Sequence, residues 1–239
     1  MSGTFLHDDA REASCACLQA QEALIVAGGA IDIDQLVREA AILKAKGGLL
    51  IAADRGLEAL EAAKLIPDVA VGDFDSVKPE VLENFSRCPG IRFERHRPEK
   101  NQSDTELAFF IAREAGVKKL TLMGVTGTRL DHVLSNIHLL REGEAEGVDC
   151  CLLDAHNRIR MARSPMIFCR EENPFTYISF IPLSAEVTGI TLRGFKYPLT
   201  DYHMALGKEC SLCVSNELAE REGMLTFREG SMLAIESCD

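Results

Sequence analysis

Four short segments of the 239-residue chain hold most of the side chains suited to phosphate or metal chemistry. In chain order they are Ala53-Asp54-Arg55-Gly56, Gly72-Asp73-Phe74-Asp75-Ser76, Lys100-Asn101-Gln102-Ser103-Asp104-Thr105-Glu106 and Gly124-Val125-Thr126-Gly127-Thr128-Arg129-Leu130-Asp131-His132. Asp73 and Asp75 are the sharpest pair. Carboxylates two residues apart in a tight turn can aim at one point, and there they repel unless a cation lies between them. Mg²⁺ takes few carboxylates together with water and phosphate oxygens. The pair therefore reads as a Mg²⁺ site, with Asp104 and Asp131 expected on the same edge. A purely structural reading makes Asp73 a helix cap and leaves Asp75 merely exposed. Ser103 and Glu106 match a capping box, which accounts for those two residues but not for Lys100, a cation able to neutralise phosphate from its loop. Gly124–His132 reads as a loop that lets the backbone approach an anion just before a helix N terminus. It lacks the Gly-Lys-Ser/Thr ending of a Walker A loop. Arg129 adds charge to it. His132 is open to three readings: ligand, base, or a histidine satisfied near the helix start.

The elements that must position these segments follow from hydrophobic pattern. Short apolar runs at Ala23–Ala27, Leu49–Ala53, Val69–Val71, Ile91–Glu94, Leu120–Met123 and Cys150–Leu153 alternate with helical patterns at Asp34–Lys46, Leu57–Lys64, Pro79–Phe85, Asp104–Ala115 and Asp131–Glu146. That alternation predicts right-handed crossovers and a parallel, Rossmann-like sheet with helices on both faces. In such a sheet ligands bind beyond the carboxyl ends of the strands. Each segment named above follows a predicted strand, so all of them open onto one edge. Beyond about residue 155 the helical period disappears. Runs at Met166–Cys169, Thr176–Ile181, Glu186–Leu192, Ser211–Val214, Met224–Phe227 and Met232–Ile235, punctuated by glycines, predict an all-β sandwich or barrel-like C-terminal domain. The expected division is an extension at 1–22 with little fixed structure, an α/β domain at 23–155 and a β domain at 156–239, with the boundary around Asp154–Pro165.

Composition narrows the partners. Lys and Arg number 26 against 37 Asp and Glu, a formal net charge of −11, so nucleic acid is not an expected ligand. No apolar run reaches the roughly 18–20 residues that a bilayer span needs. Met1–Glu22 lacks the basic start and apolar stretch of a secretory signal, which points to a cytoplasmic protein without a membrane role. Nine cysteines, an odd number, argue against a disulfide framework. Cys210-x-x-Cys213 invites a zinc reading, but no second ligand pair stands at suitable spacing. Its apolar setting favours buried structural thiols.

Taken together the four segments resemble the signature set of bacterial thiamine diphosphokinases (thiamine pyrophosphokinases). The resemblance runs from about Leu24 to the end, continuing at Gly194-Phe195-Lys196-Tyr197-Pro198-Leu199 and Ser215-Asn216-Glu217. The Gly-Asp-Phe-Asp-Ser and Gly-x-Arg-x-Asp-His blocks are the specific part. The resemblance implies a Rossmann-like domain followed by a β-sandwich. It implies transfer of the diphosphoryl group of ATP to the thiamine hydroxyl, with Mg²⁺ as cofactor, in a homodimer whose site lies at the subunit interface. Asp73, Asp75, Asp104 and Asp131 are then expected to be catalytic, with the metal on Asp73, Asp75 and Asp104. Asp54, Lys100, Gly127, Arg129 and His132 are expected to face the nucleotide, and Ser215 and Asn216 to hold thiamine from the partner chain. Ser103 stands where the family usually has Thr, and Asn101 where it often has Asp. The chain has no Trp, so stacking on thiamine falls to Phe, Tyr or aliphatic side chains. Competing readings are a diphosphokinase for another alcohol, such as a hydroxymethyl-pterin, and a non-catalytic nucleotide or thiamine diphosphate sensor.

Overall fold

A computed structural model of the chain describes residues 19–95, 102–208 and 211–239. Residues 1–18, which make up most of the expected extension, lie outside the described residues, as do Lys100, Asn101 and Cys210. Six strands alternate with five helices in the N-terminal part: β1 (Glu22–Val26), α1 (Ile33–Ala45), β2 (Leu49–Ala53), α2 (Gly56–Ala62), β3 (Val69–Gly72), α3 (Pro79–Ser86), β4 (Arg92–Arg95), α4 (Asp104–Glu114), β5 (Lys119–Met123), α5 (Leu130–Ala145) and β6 (Asp149–Leu153). All the strand pairs in the order β4-β3-β2-β1-β5-β6 are parallel. The central strands β2 and β3 are buried along their whole length, as near-continuous apolar runs in a doubly covered sheet must be. Helices α1, α2 and α3 pack on one face around Leu36, Leu57, Leu60 and Phe85. Helices α4 and α5 pack on the other around Phe109, Leu139 and Leu140.

The chain runs outward from β1 through β4, then returns to start the other half at β5 beside β1. The connections therefore diverge between β1 and β5, and this switch point opens a crevice at the carboxyl ends of the strands. Close packing beside it depends on Gly56, the first residue of α2. A Cβ there would stand 1.8 Å from the Val26 carbonyl oxygen, so the helix could not keep its distance from β1. Gly56→Ala is expected to destabilise the protein by about 3 kcal/mol or to prevent folding. Urea denaturation read by circular dichroism checks this.

The C-terminal part contains β7 (Asn157–Met161), β8 (Met166–Cys169), β9 (Tyr177–Pro182), β10 (Glu186–Arg193), β11 (Leu199–Ala205), β12 (Glu222–Thr226) and β13 (Met232–Ser237). Strands β7, β13 and β9 extend the first sheet in antiparallel fashion to nine strands, while β11-β10-β12-β8 form a separate antiparallel sheet. Both sheets contribute to one core that holds Phe168, Phe180, Phe195, Leu192 and Met232. The three phenylalanines meet edge to face with centroids 5.8–5.9 Å apart. This is the α/β-plus-sandwich architecture expected from the sequence. The first sheet, however, runs on through the expected boundary at Asp154–Pro165, because β6 pairs antiparallel with β7.

The expected strand at Ser211–Val214 is instead a turn, with the Val214 amide donating to the Ser211 carbonyl. Of its three apolar side chains, Leu212 and Val214 are exposed, and only Cys213 is buried in the sandwich core, where burial pushes its thiol up to about 11. All six described cysteines are free thiols. Among the described residues, no helix is long and apolar enough to cross a membrane.

Candidate active site

A cleft of about 520 Å³ lies at the switch point, lined by segments that follow β1, β2 and β5 and by the start of α4. Beside it two backbone hydrogen bonds join the loops after β1 and β5. The Gly29 amide donates to the Gly124 carbonyl at 2.7 Å and the Ala30 amide to the Thr126 carbonyl at 2.9 Å. A Cβ on Gly29 would come within 2.2 Å of the Thr126 oxygen, so only glycine lets the two diverging loops meet. Gly127 differs: a Cβ there would have nothing nearer than 3.8 Å, which leaves its backbone open to the cleft.

Helix α5 begins at this cleft with no side chain capping its N terminus, whereas α4 is capped by Ser103, whose Oγ accepts from the Glu106 amide at 3.2 Å. Apart from the His132 amide, which the Asp131 carboxyl engages, the first amides of α5 have no side-chain cap and lie at the positive end of its dipole, which suits them to phosphate oxygens. Arg129 stands immediately before the helix and lines the cleft, as do His132 and Arg55. Arg129 donates to Asp131 Oδ2 at 2.6 Å, which holds the Asp131 carboxyl below its ordinary range. Both side chains are exposed. Asp131 thus stands with Arg129 and does not line the cleft, and it is not among the charges that act on Asp104.

Three other carboxylates do act on Asp104. Its pKa is raised from 3.8 to about 6, first by burial and then by Asp54, Asp73 and Asp75. Each of these carboxylates follows a strand or opens a helix on the same sheet edge. Asp54 follows β2 with φ of 45°, and Phe74 follows β3 with φ of 61°. Such left-handed conformations are unfavourable for non-glycine residues and collect at functional sites. Phe74 is held in the core edge to face with Phe93 at 5.9 Å, so the chain on either side of it is fixed. Asp73 Oδ1 accepts from the Asp75 amide at 3.1 Å and closes the turn. Asp54 Oδ2 accepts from Ser76 Oγ at 2.5 Å, and Asp54 Oδ1 is buried without a hydrogen-bond partner among the described residues.

This concentration of negative charge fits a divalent cation. Among the described residues no group of three or more Asp, Glu, His or Cys is close enough to cage a metal ion. A hydrated Mg²⁺ that keeps several waters and takes phosphate oxygens suits such a set better than an all-protein cage does.

Two functional residues expected from the sequence lie elsewhere. Ser215 and Asn216 sit in the loop after the Ser211–Val214 turn, and neither lines the cleft of its own chain. Ser215 is exposed with φ of 55°. Asn216 is 1 % exposed. Its carboxamide accepts from the amides of Tyr197 and Glu217 and donates to the Tyr197 carbonyl at 2.9 Å. It therefore shapes the loop that presents Ser215. Ser76, Arg55 and Asn136 line the cleft without having been assigned a role from the sequence. Asn136 is buried and donates to the Val125 carbonyl at 2.8 Å, tying α5 to the loop before it. Its only signal was its place one turn after His132 on the inner side of α5.

Comparison with known proteins agrees with this geometry. The family described as thiamin pyrophosphokinase, catalytic domain, matches residues 41–152, and the thiamin pyrophosphokinase vitamin B1 binding domain matches residues 166–232. A thiamine pyrophosphokinase of Bacillus subtilis (strain 168) is 36% identical over 192 residues, covering 80% of this chain and 88% of the relative. The chain belongs to the thiamine pyrophosphokinase family. A crystal structure of thiamine pyrophosphokinase from Bacillus subtilis superposes with a TM-score of 0.79 at 34% identity, covering 91% of this chain and 99% of the other. The thiamin pyrophosphokinase from Candida albicans keeps the same fold at 16% identity, with a TM-score of 0.74, covering 93% of this chain and 91% of the other. Within the thiamine pyrophosphokinase family fold, the catalytic-domain match ends at Leu152 in β6, next to the turn from parallel to antiparallel pairing.

Proposed function

We propose that this protein is a thiamine diphosphokinase that transfers the diphosphoryl group of ATP to thiamine. The observation that carries the reading is the switch-point cleft, which is lined both by Asp104, crowded by three carboxylates, and by the first turn of α5. An anion site beside a cation site is what a metal-bound polyphosphate requires. Family membership supports thiamine as the acceptor.

In this reading the thiamine hydroxyl attacks the β-phosphorus of ATP. The bond from that phosphorus to the oxygen bridging to the α-phosphate breaks, AMP leaves, and the hydroxyl proton passes to a carboxylate of the site. Asp73, Asp75 and Asp104 hold Mg²⁺, which neutralises charge on the phosphate oxygens when it is bound. Arg129 and the amides from Gly127 into α5 face the phosphates, with His132 at the cleft wall; Lys100 is assigned to the phosphates from the sequence and the family resemblance alone. Asp131 keeps Arg129 in place through their ion pair. No covalent intermediate is needed, since positioning and charge neutralisation account for phosphoryl-transfer catalysis. Thiamine is cationic, and a net charge of −11 favours its approach. ATP labelled in the β-phosphate tests the reaction class: diphosphoryl transfer carries the label into the thiamine product, whereas transfer of the γ-phosphoryl group alone leaves it in ADP.

The protein acts as a homodimer in which Ser215 and its loop reach the partner's cleft. Support comes from the absence of Ser215 and Asn216 from their own cleft, and from Leu130 and Leu134, which are 71% and 59% exposed on α5 beside it. The two loop residues separate by experiment. Ser215→Ala is expected to raise the thiamine KM several-fold with the ATP KM unchanged. Asn216→Ala leaves two amides and a carbonyl without partners and is expected to cost about 2–4 kcal/mol of stability. Steady-state kinetics with each substrate varied, alongside thermal melts, distinguishes the two effects.

A further inference from the structure

The hydrogen bond from Ser76 to Asp54 links two residues that belong to different strand ends. Asp54 stands just after β2 and Ser76 lies in the turn after β3; both line the cleft. The Asp54 backbone is pinned by its left-handed φ of 45° and by its amide, which donates to the Val71 carbonyl at 2.9 Å. Its side chain has one oxygen committed to Ser76 Oγ at 2.5 Å, while Oδ1 is buried with no partner among the described residues. Buried polar atoms are almost always paired. An unpaired carboxylate oxygen at a cleft wall is therefore an acceptor kept for something that enters the cleft.

We propose that Ser76 is a positioning residue for the diphosphoryl-transfer site: its hydroxyl fixes the Asp54 carboxylate so that Oδ1 stays aligned to accept a hydrogen bond from bound MgATP. The inference rests on the kinase reading above. A hydroxyl that orients a carboxylate removes its freedom to swing before the ligand arrives. The contact between ligand and carboxylate then does not have to bear the cost of ordering it.

Four variants test the assignment: Ser76→Ala, Ser76→Val, Ser76→Thr and Asp54→Asn, with the double variant of Ser76→Ala and Asp54→Asn. The readouts are calorimetric affinity for Mg²⁺ with a non-hydrolysable ATP analogue, kcat/KM for ATP, and the melting temperature without ligand. Ser76→Ala and Ser76→Val are expected to weaken analogue binding and kcat/KM by about 10- to 100-fold, the usual effect of losing a residue that orients a ligating group. Ser76→Thr keeps the hydroxyl and is expected to stay within about threefold of the parent. Thr and Val differ in that hydroxyl, so their comparison holds even if alanine loosens the turn. On the Asp54→Asn background, Ser76→Ala is expected to add less than about twofold, because residues acting through one group are not additive. Equal behaviour of Thr and Val, or a full multiplicative loss in the double variant, overturns the positioning role while the parent still turns over. A parent protein that binds no MgATP analogue overturns the kinase reading and this inference with it.

Discussion

Asp73→Asn is expected to reduce thiamine diphosphate formation on the order of 100- to 1,000-fold without unfolding the protein, comparable to removing one preorganised electrostatic partner from an active site. The substitution leaves shape and the key local hydrogen bond intact. Asparagine retains an Oδ1 that can accept from the Asp75 amide, as Asp73 does at 3.1 Å. Phe74 stays buried against Phe93, so the turn keeps its anchor. What is lost is one charge of the group that crowds Asp104. The deficit is expected to lessen at high Mg²⁺ concentration, since weaker metal affinity is the physical cause. Steady-state rates at several Mg²⁺ concentrations, together with a far-ultraviolet dichroism spectrum, check both halves. A folded variant with near-normal kinetics contradicts the metal role of Asp73.

Asp104→Asn is expected to do two opposite things, abolishing most turnover and stabilising the ligand-free protein. Asp104 titrates at about 6 instead of 3.8 because burial and then Asp54, Asp73 and Asp75 oppose its ionised form. The folded protein therefore binds more protons than the unfolded chain between those two values. Stability contributed through this group falls as pH rises through that window, and the destabilisation is fully present at pH 7–8. The half-open position of Asp104 screens the effect, so about 1 kcal/mol is expected, a melting shift of about 2–4 °C for a protein of this size. In EDTA the asparagine variant should melt higher than the parent at pH 8, with the difference shrinking as pH falls through about 6 and vanishing only below about pH 3, where the Asp104 carboxyl is protonated in both the folded and the unfolded chain. A variant that melts lower at pH 8 contradicts the charge crowding. The same titration predicts that kcat/KM falls on the acid side of about pH 6 when Mg²⁺ is limiting, and that saturating Mg²⁺ moves this limb to lower pH.

The α/β half was legible because its strands are uninterrupted apolar runs. Leu49–Ala53 is buried at every position, and few patterns other than a doubly covered parallel strand produce such a run. The sandwich was legible as a class but not strand by strand. Strand β7 was not expected because Arg158 and Arg160 break its apolar pattern; Glu236 on β13, 1 % exposed, bonds to both. A buried ion pair formed across strands that are 76 positions apart in sequence leaves no local signal. Strand β11 was obscured by irregular pairing with β10 and by the left-handed Asp201. The opposite error came at Ser211–Val214, where a turn with two exposed apolar residues, Leu212 and Val214, beside the buried Cys213 imitated a strand.

For the site, the sequence order of β-strand ends was enough to place Asp54, Asp73, Asp75 and Asp104 near one another, because a parallel sheet delivers every such junction to one edge. It could not say which carboxylates interact. Asp131 was expected with that group, yet its partner is Arg129, two residues away. Nor could it show that Asn216 is consumed by its own loop, or that Ser76 reaches back to Asp54. These depend on side-chain directions that spacing alone leaves open.

The central claim is diphosphoryl transfer from ATP to thiamine, and product analysis tests it most directly. The purified protein is incubated with ATP, Mg²⁺ and thiamine, with an EDTA control, and thiamine diphosphate and AMP are quantified by chromatography. Equal amounts of the two products, absent in EDTA, are the predicted result. AMP without thiamine diphosphate, or no product from a protein that binds ATP, contradicts it.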